Sequence, residues 1–148
     1  EWEHAARGGR STRFAGADNP RAVAWFRENS RNTPESVAKR MPNDLGLYDM
    51  SGNVWEWVWD SYVQQVLPKK GGTPAADGPL KMQRGGSYLD EAPWLTVTAI
   101  DYDPAEYYGP AVGFRLARNG KRVPSEAASV TQTDEPKKKN KKAKKEES

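Results

Sequence analysis

The sequence predicts an α+β fold of short antiparallel strands set in long irregular loops, and three observations carry this. Residues 54–60 alternate strictly: Trp55, Trp57 and Trp59 stand between Val54, Glu56, Val58 and Asp60, the two-residue period of a strand. "EWEHAAR" runs into Gly8 and Gly9, the pattern of a helix closed by glycine. Residues 10–44 and 67–79 are rich in Arg, Asn, Pro and Gly, which favours ordered loops over regular elements.

Each element follows in order. The helix over residues 1–7 ends at the glycine pair. Residues 10–44 carry one short apolar island, "AVAWF" at 22–26. Ser51, Gly52 and Asn53 form a turn in which Gly52 is free to take a positive φ. That turn feeds the aromatic strand, whose tryptophans are expected to anchor the core. "MQRGGSYL" at 82–89 reads as a strand with a glycine bulge. "WLTVTAI" at 94–100 alternates and is rich in β-branched residues, so another strand is expected. "VGFRLAR" at 112–118 closes the fold and places Val112, Phe114 and Leu116 on one face. There is no internal repeat.

Composition narrows the chemistry. The 148 residues include no cysteine and one histidine, His4. Disulfides, thiolate metal sites, thiol nucleophiles and histidine-rich metal centres are therefore beyond this chain's own residues. No run approaches the ~18 apolar residues of a membrane span. "RGGS" precedes a strand-like run and not a helix, so it is no phosphate loop.

The net charge of +3 divides unevenly. Residues 119–148 hold nine Lys or Arg against five Asp or Glu, a net of +4, while residues 1–118 hold fourteen against fifteen, a net of −1. The segment "EPKKKNKKAKKEES" lacks apolar groups larger than alanine, so 119–148 is expected to be a disordered Lys-rich tail with weak attraction to polyanions. Residues 1–118 are expected to be the folded domain.

Four stretches in one order, "EWEHAARGG", "NDLGLYDMSGNVWEWVWD", "RGGSY" and "VGFRLAR", resemble the formylglycine-generating-enzyme, or sulfatase-modifying factor, domain. The resemblance covers residues 1–118. It implies a variant of the C-type lectin fold, with small twisted sheets, a couple of helices and abundant loops. In that family the first stretch lies mid-domain, so the domain is expected to be incomplete at its N-terminus here.

The resemblance also implies a calcium ion beside the aromatic strand, held by Asp49, the carbonyls of Gly52 and Val54, and the Glu56 carboxylate. Calcium takes six to eight oxygen ligands, and a glycine-kinked turn can aim carbonyls inward. The same residues admit another reading, in which Glu56 caps backbone amides or pairs with an arginine and Asp49 starts a turn.

Copper is not expected. The family's formylglycine reaction uses copper on two cysteines, whose places fall at about Leu95 and Ile100, and neither side chain binds Cu(I). The iron-dependent sulfoxide synthases of the same family need a histidine cluster that one histidine cannot supply. Asp90, Glu91, Asp101, Asp103 and Glu106 read as solvated loop charges and not as a catalytic pair.

A binding role remains. Residues 89–111 carry Trp94, Tyr102, Tyr107 and Tyr108 among acids that include Asp101, Asp103 and Glu106. Tyrosines give rigid amphipathic contact surface, and acids around them favour cationic or hydroxyl-rich partners. In lectin-like relatives, among them variable proteins of retroelement systems, this segment supplies binding loops. The aromatics could equally pack over the sheet. The expected function is a non-catalytic recognition or scaffold module contacting a protein or a small polar ligand. The alternative is an oxidoreductase of the same family, acting on protein or small-molecule thiols, with its catalytic residues in the missing N-terminal part.

Overall fold

The computed structural model describes residues 1–62 and 78–117. The expected tail at 119–148 and most of the loop at 67–79 lie outside the described residues. The elements are α1 (Trp2–Arg7), α2 (Pro20–Val23), β1 (Trp55–Ser61), β2 (Leu80–Arg84), a 3-10 turn (Ala92–Leu95), β3 (Ile100–Pro104) and β4 (Val112–Gly113). The strands form one sheet in the order β3-β2-β1-β4. β1 and β2 pair antiparallel, as do β2 and β3, whereas β4 lies parallel to β1.

α1 ends where the glycines predict. Gly8 adopts a left-handed φ of 56° and its amide returns to the His4 carbonyl. The last carbonyls of the helix are taken by Asn43, whose Nδ2 donates to Ala5 O at 2.7 Å and Ala6 O at 3.0 Å. Its Oδ1 accepts from the Leu45 and Leu47 amides. One buried amide thus satisfies a helix end and the 45–47 loop together.

The core sits mainly in the loops, and the aromatic strand gives it only Trp55 among the described residues. One cluster joins Phe14, Val23, Ala24, Phe26 and Leu95. A second joins Ala6, Ala15, Met50 and Val97, with Trp2 and Leu47 packed against it. Of the three alternating tryptophans, Trp55 is buried, Trp57 is half-buried and Trp59 is 81% exposed. The register of β1 breaks between Trp57 and Ser61, so the strand leaves the core before Trp59.

Three expected elements are corrected. Residues 94–99 do not form a strand, and β3 begins only at Ile100: Trp94 N donates to Glu91 O, Ala99 N to Thr96 O and Val97 N to Arg13 O, bonds that form no ladder. Leu95 and Val97 still point inward, but Trp94 is exposed. β2 stops at Arg84 because Gly85 and Gly86, both at positive φ, leave the ladder. β4 is two residues long, and Phe114 and Leu116 face outward. The cause is Arg115, which Glu56 draws inward, so its two neighbours must take the other side of an extended chain.

Candidate functional site

Residues 49–56 form the hub of the structure. Asp49, Gly52 and Asn53 all have positive φ, which turns the chain sharply before β1. Gly52 N donates to Gly85 O at 2.8 Å and Asn53 N to Trp25 O at 2.7 Å. Ser51 Oγ donates to Leu95 O and accepts from the Ala15 amide. The Asn53 amide pairs with the backbone of Glu35, and Tyr88 N donates to Asn53 O. Loops distant in sequence therefore meet on three consecutive residues.

Glu56 lies just beyond the turn and is 6% exposed. Arg115 binds it in a fork, Nε to Oε2 at 2.7 Å and Nη2 to Oε1 at 2.5 Å. Trp2 Nε1 donates to Oε2 at 2.7 Å. Arg115 Nη2 also reaches Tyr48 O at 3.0 Å and Asp49 O at 3.4 Å. A buried carboxylate is tolerated here because a bidentate guanidinium and an indole satisfy it. Glu56 therefore pairs with an arginine through both of its carboxylate oxygens.

Beside it, Arg84 donates to Glu3 and to the carbonyls of Thr98 and Ala99, with its guanidinium 5.5 Å from the centre of the Trp2 ring. Burial alone would raise the Glu3 pKa, but bonds and charge from Arg7 and Arg84 outweigh it and hold the carboxyl below its ordinary value. A depressed folded pKa contributes stability above the unfolded pKa of about 4.3, which is lost as pH falls through the folded value.

The expected calcium ligands stand as follows. Asp49 Oδ2 accepts from the Ala38 amide at 2.8 Å, while its Oδ1 is buried without a partner. Gly52 and Val54 lie on the turn between Asp49 and Glu56. Among the described residues no three Asp, Glu or His side chains converge. A cation at this turn would thus draw on carbonyl oxygens as well as the two acids.

The expected ligand-binding residues divide into three places. Asp101, Tyr102 and Asp103 lie on β3, an edge strand, and Trp94 lies on the 3-10 turn before it. Asp103 accepts from Gln83 Nε2 at 3.0 Å, and Asp101 accepts from the Tyr102 amide. Tyr102 stacks on Tyr62 with ring centres 3.7 Å apart, and its phenol is pushed above the ordinary value chiefly by a hydrogen bond with Tyr62. Glu106, Tyr107 and Tyr108 follow on an exposed loop, where Tyr108 is 91% exposed. Of the two cysteine places, Leu95 is completely buried and Ile100 opens β3.

Sequence reasoning missed Trp2, Arg84 and Arg115 as members of the hub. The available signal was an arginine between Phe114 and Leu116, out of place on a strand expected to face the core. It also missed a shallow cavity of about 200 Å³ lined by Trp57, Val58, Trp59, Lys81 and Ala105.

The short strands, loop-built core and glycine-kinked turn define an α+β domain of the C-type-lectin-like, formylglycine-generating-enzyme-like class. The chain belongs to the family described as Sulfatase-modifying factor enzyme 1-like domain, whose model matches residues 1–120. It is 29% identical over 139 residues to "Chaperone protein LppX" of Paenibacillus barcinonensis, covering 80% of this chain and 47% of that protein. It is 34% identical over 89 residues to "Inactive C-alpha-formylglycine-generating enzyme 2" of Bos taurus, covering 57% of this chain and 26% of that protein. Among solved structures it is similar to "Treponema denticola variable protein 1", with a TM-score of 0.70 and 32% identity, covering 77% of this chain and 43% of that one. The chain spans about half the length of these relatives, or less. Among the described residues no helix is long and apolar enough to cross a membrane.

Proposed function

We propose that this chain is a non-catalytic recognition or scaffold member of its family, stabilised by calcium. The observation that carries the non-catalytic reading is Leu95. Where the resemblance places a copper-binding cysteine stands a fully buried aliphatic side chain, part of the Phe14 and Phe26 cluster, in a chain with no thiol at all. The bovine relative named as inactive is in line with it. The contact surface proposed for recognition is Tyr107, Tyr108 and Glu106, with Tyr102, Asp101 and Asp103 on β3 and Trp94 on the turn before it. Exposed phenols beside carboxylates suit a cationic or hydroxyl-rich partner.

The test has two readouts. Incubation with copper, oxygen and a cysteine-bearing sulfatase peptide should give no aldehyde by mass spectrometry. Isotope-labelled protein titrated with an arginine-rich peptide and with a monosaccharide should show NMR shifts centred on 100–108 for at least one probe, lost on Tyr108→Ser. Aldehyde above a no-protein control overturns the non-catalytic reading, and shifts elsewhere or none overturn the recognition surface. A second reading, an oxidoreductase acting on thiols, rests on one fact: the chain spans about half of its relatives, which leaves room for catalytic residues outside it.

Calcium has its support in Asp49, whose Oδ1 is a buried acceptor without a donor, next to a turn of positive-φ residues. Asp49, the Gly52 and Val54 carbonyls and Glu56, its carboxylate shared with Arg115, would hold the ion, and its part would be structural. A ligand that binds only the folded state stabilises by about 2.7 kcal/mol at a hundred times its Kd. Thermal unfolding in calcium should therefore end several degrees above unfolding in chelator, and Asp49→Asn should erase the difference. Glu56→Gln is the poorer probe, because it also weakens the hold on Arg115. Identical wild-type midpoints in calcium and chelator would remove the claim.

A further inference from the structure

The pairing of β1 with β2 slips where Trp59 leaves the core. Between Trp57 and Ser61, β1 takes four steps while β2 takes two, from Gln83 to Lys81. The extra chain is a bulge, a device that re-aims a side chain beside a site. Here it turns out Trp59, which is 81% exposed. The indole is nonetheless held. The Lys81 ammonium lies 5.6 Å from its ring centre and donates to Ser61 Oγ at 2.9 Å and to Trp59 O at 3.4 Å. The cavity of about 200 Å³ lies at this bulge, walled by Trp57, Val58 and Trp59 and completed by Lys81 and the small side chain of Ala105.

The chemistry around the cavity selects its ligand. Register sets Lys81 opposite Asp103, and Gln83 Nε2 donates to Asp103 at 3.0 Å, so one ammonium and one carboxylate share this face of the sheet. Their charges offset each other, which favours a neutral ligand over an ion. Lys81 already sets a cation against the Trp59 ring, so a ligand cation would meet like charge. An ammonium only donates and a carboxylate only accepts, whereas a hydroxyl answers both. The two indoles call for an apolar face of matching breadth. The volume lies below the roughly 300–1,000 Å³ of most small-molecule pockets, so one ring fits and a chain does not.

We propose that this cavity binds one neutral sugar ring, with its C–H face against Trp57 and Trp59 and its hydroxyls shared between Lys81 and Asp103. The site uses neither Tyr107 nor Tyr108 and none of the residues proposed for calcium, so it rests on neither of those readings and needs no metal.

The experiment titrates the isotope-labelled 148-residue chain, in chelator, with the methyl glycosides of glucose, galactose, mannose and N-acetylglucosamine. The indole N–H signals of Trp57 and Trp59 are followed by NMR. At least one glycoside should shift both signals, with a millimolar Kd. Trp59→Ala should weaken that binding about tenfold, the scale of loss at the centre of a contact. Because the side chain is exposed, this variant should leave the melting curve in place. Tyr108→Ser should leave both shifts unchanged, which separates this site from the loop surface, where the arginine-rich peptide is the independent probe. Glycerol, which has hydroxyls and no ring face, should shift neither signal at the same concentration, nor should choline or benzoate. Absence of a shift with every glycoside overturns the proposal, as does binding that survives Trp59→Ala or disappears with Tyr108→Ser. Choline or benzoate binding in place of the glycosides also overturns it, since the indoles would then serve an ion.

Discussion

Arg115→Met should cost the domain about 3–5 kcal/mol, the usual penalty for stripping the partner from a buried charge. Glu56 is 7% exposed in its side chain, and Arg115 supplies two of the three hydrogen bonds to it. Methionine fills similar space but leaves the carboxylate with the Trp2 indole alone. At roughly 4 °C per kcal/mol for a unit of this size, the thermal midpoint should fall by about 10–20 °C. Glu56→Gln should cost less, because it removes the charge and leaves Arg115, a third exposed, still bound to the Tyr48 carbonyl. The double variant should be more stable than the sum of the two losses predicts, by about 1–3 kcal/mol, as expected for groups in direct contact. Denaturant unfolding of the four proteins measures this cycle. Additive losses, or an Arg115→Met change of under about 1 kcal/mol, would show that the pair is not what holds β4 to β1.

Gly52→Ala should be at least as damaging, through the backbone. Gly52 has a φ of +77°, and a Cβ built there would sit 2.2 Å from the Trp25 carbonyl oxygen, with the Trp25 C and N atoms at 3.0 Å. All three are main-chain atoms, so no side-chain rotation relieves the contact. Relief would require parting the bridge between Trp25 and Gly52 and the Asn53 N to Trp25 O bond, which together hold the 22–26 segment to the turn. Gly9→Ala is the control. Its φ is +84°, yet nothing lies within 4 Å of the added methyl, so only the left-handed strain of about 1–2 kcal/mol applies. The Gly52 variant should be recovered mostly insoluble, or melt at least 10 °C lower at about 4 °C per kcal/mol, while the Gly9 variant stays soluble. Equal behaviour of the two would mean that the turn can move away from Trp25.

Much of this domain is readable in one dimension because short-range physics decides it. The Gly8 cap, the Ser51-Gly52-Asn53 turn and the start of β1 at Trp55 depend on φ freedom and a two-residue period, both local properties. The four stretches carrying the family resemblance are likewise contiguous. The absence of a cysteine bounds the chemistry with no structure needed.

Tertiary structure decided what the period could not. Alternation says that Trp55, Trp57 and Trp59 share a face, but a break in register, visible only in pairing with β2, exposes the last of them. "WLTVTAI" has the composition of a strand, yet only its last residue, Ile100, joins one, because Leu95 and Val97 each reach a core cluster from a 3-10 turn and the loop after it. Glu56 had two readings in the sequence, and the contacts it makes in the fold are with Arg115, fifty-nine residues away, and with Trp2, fifty-four away. A charge buried in a strand announces that it needs a partner, but only the folded chain names the partner, because that choice is made by contacts across the sheet and not by neighbours along the sequence.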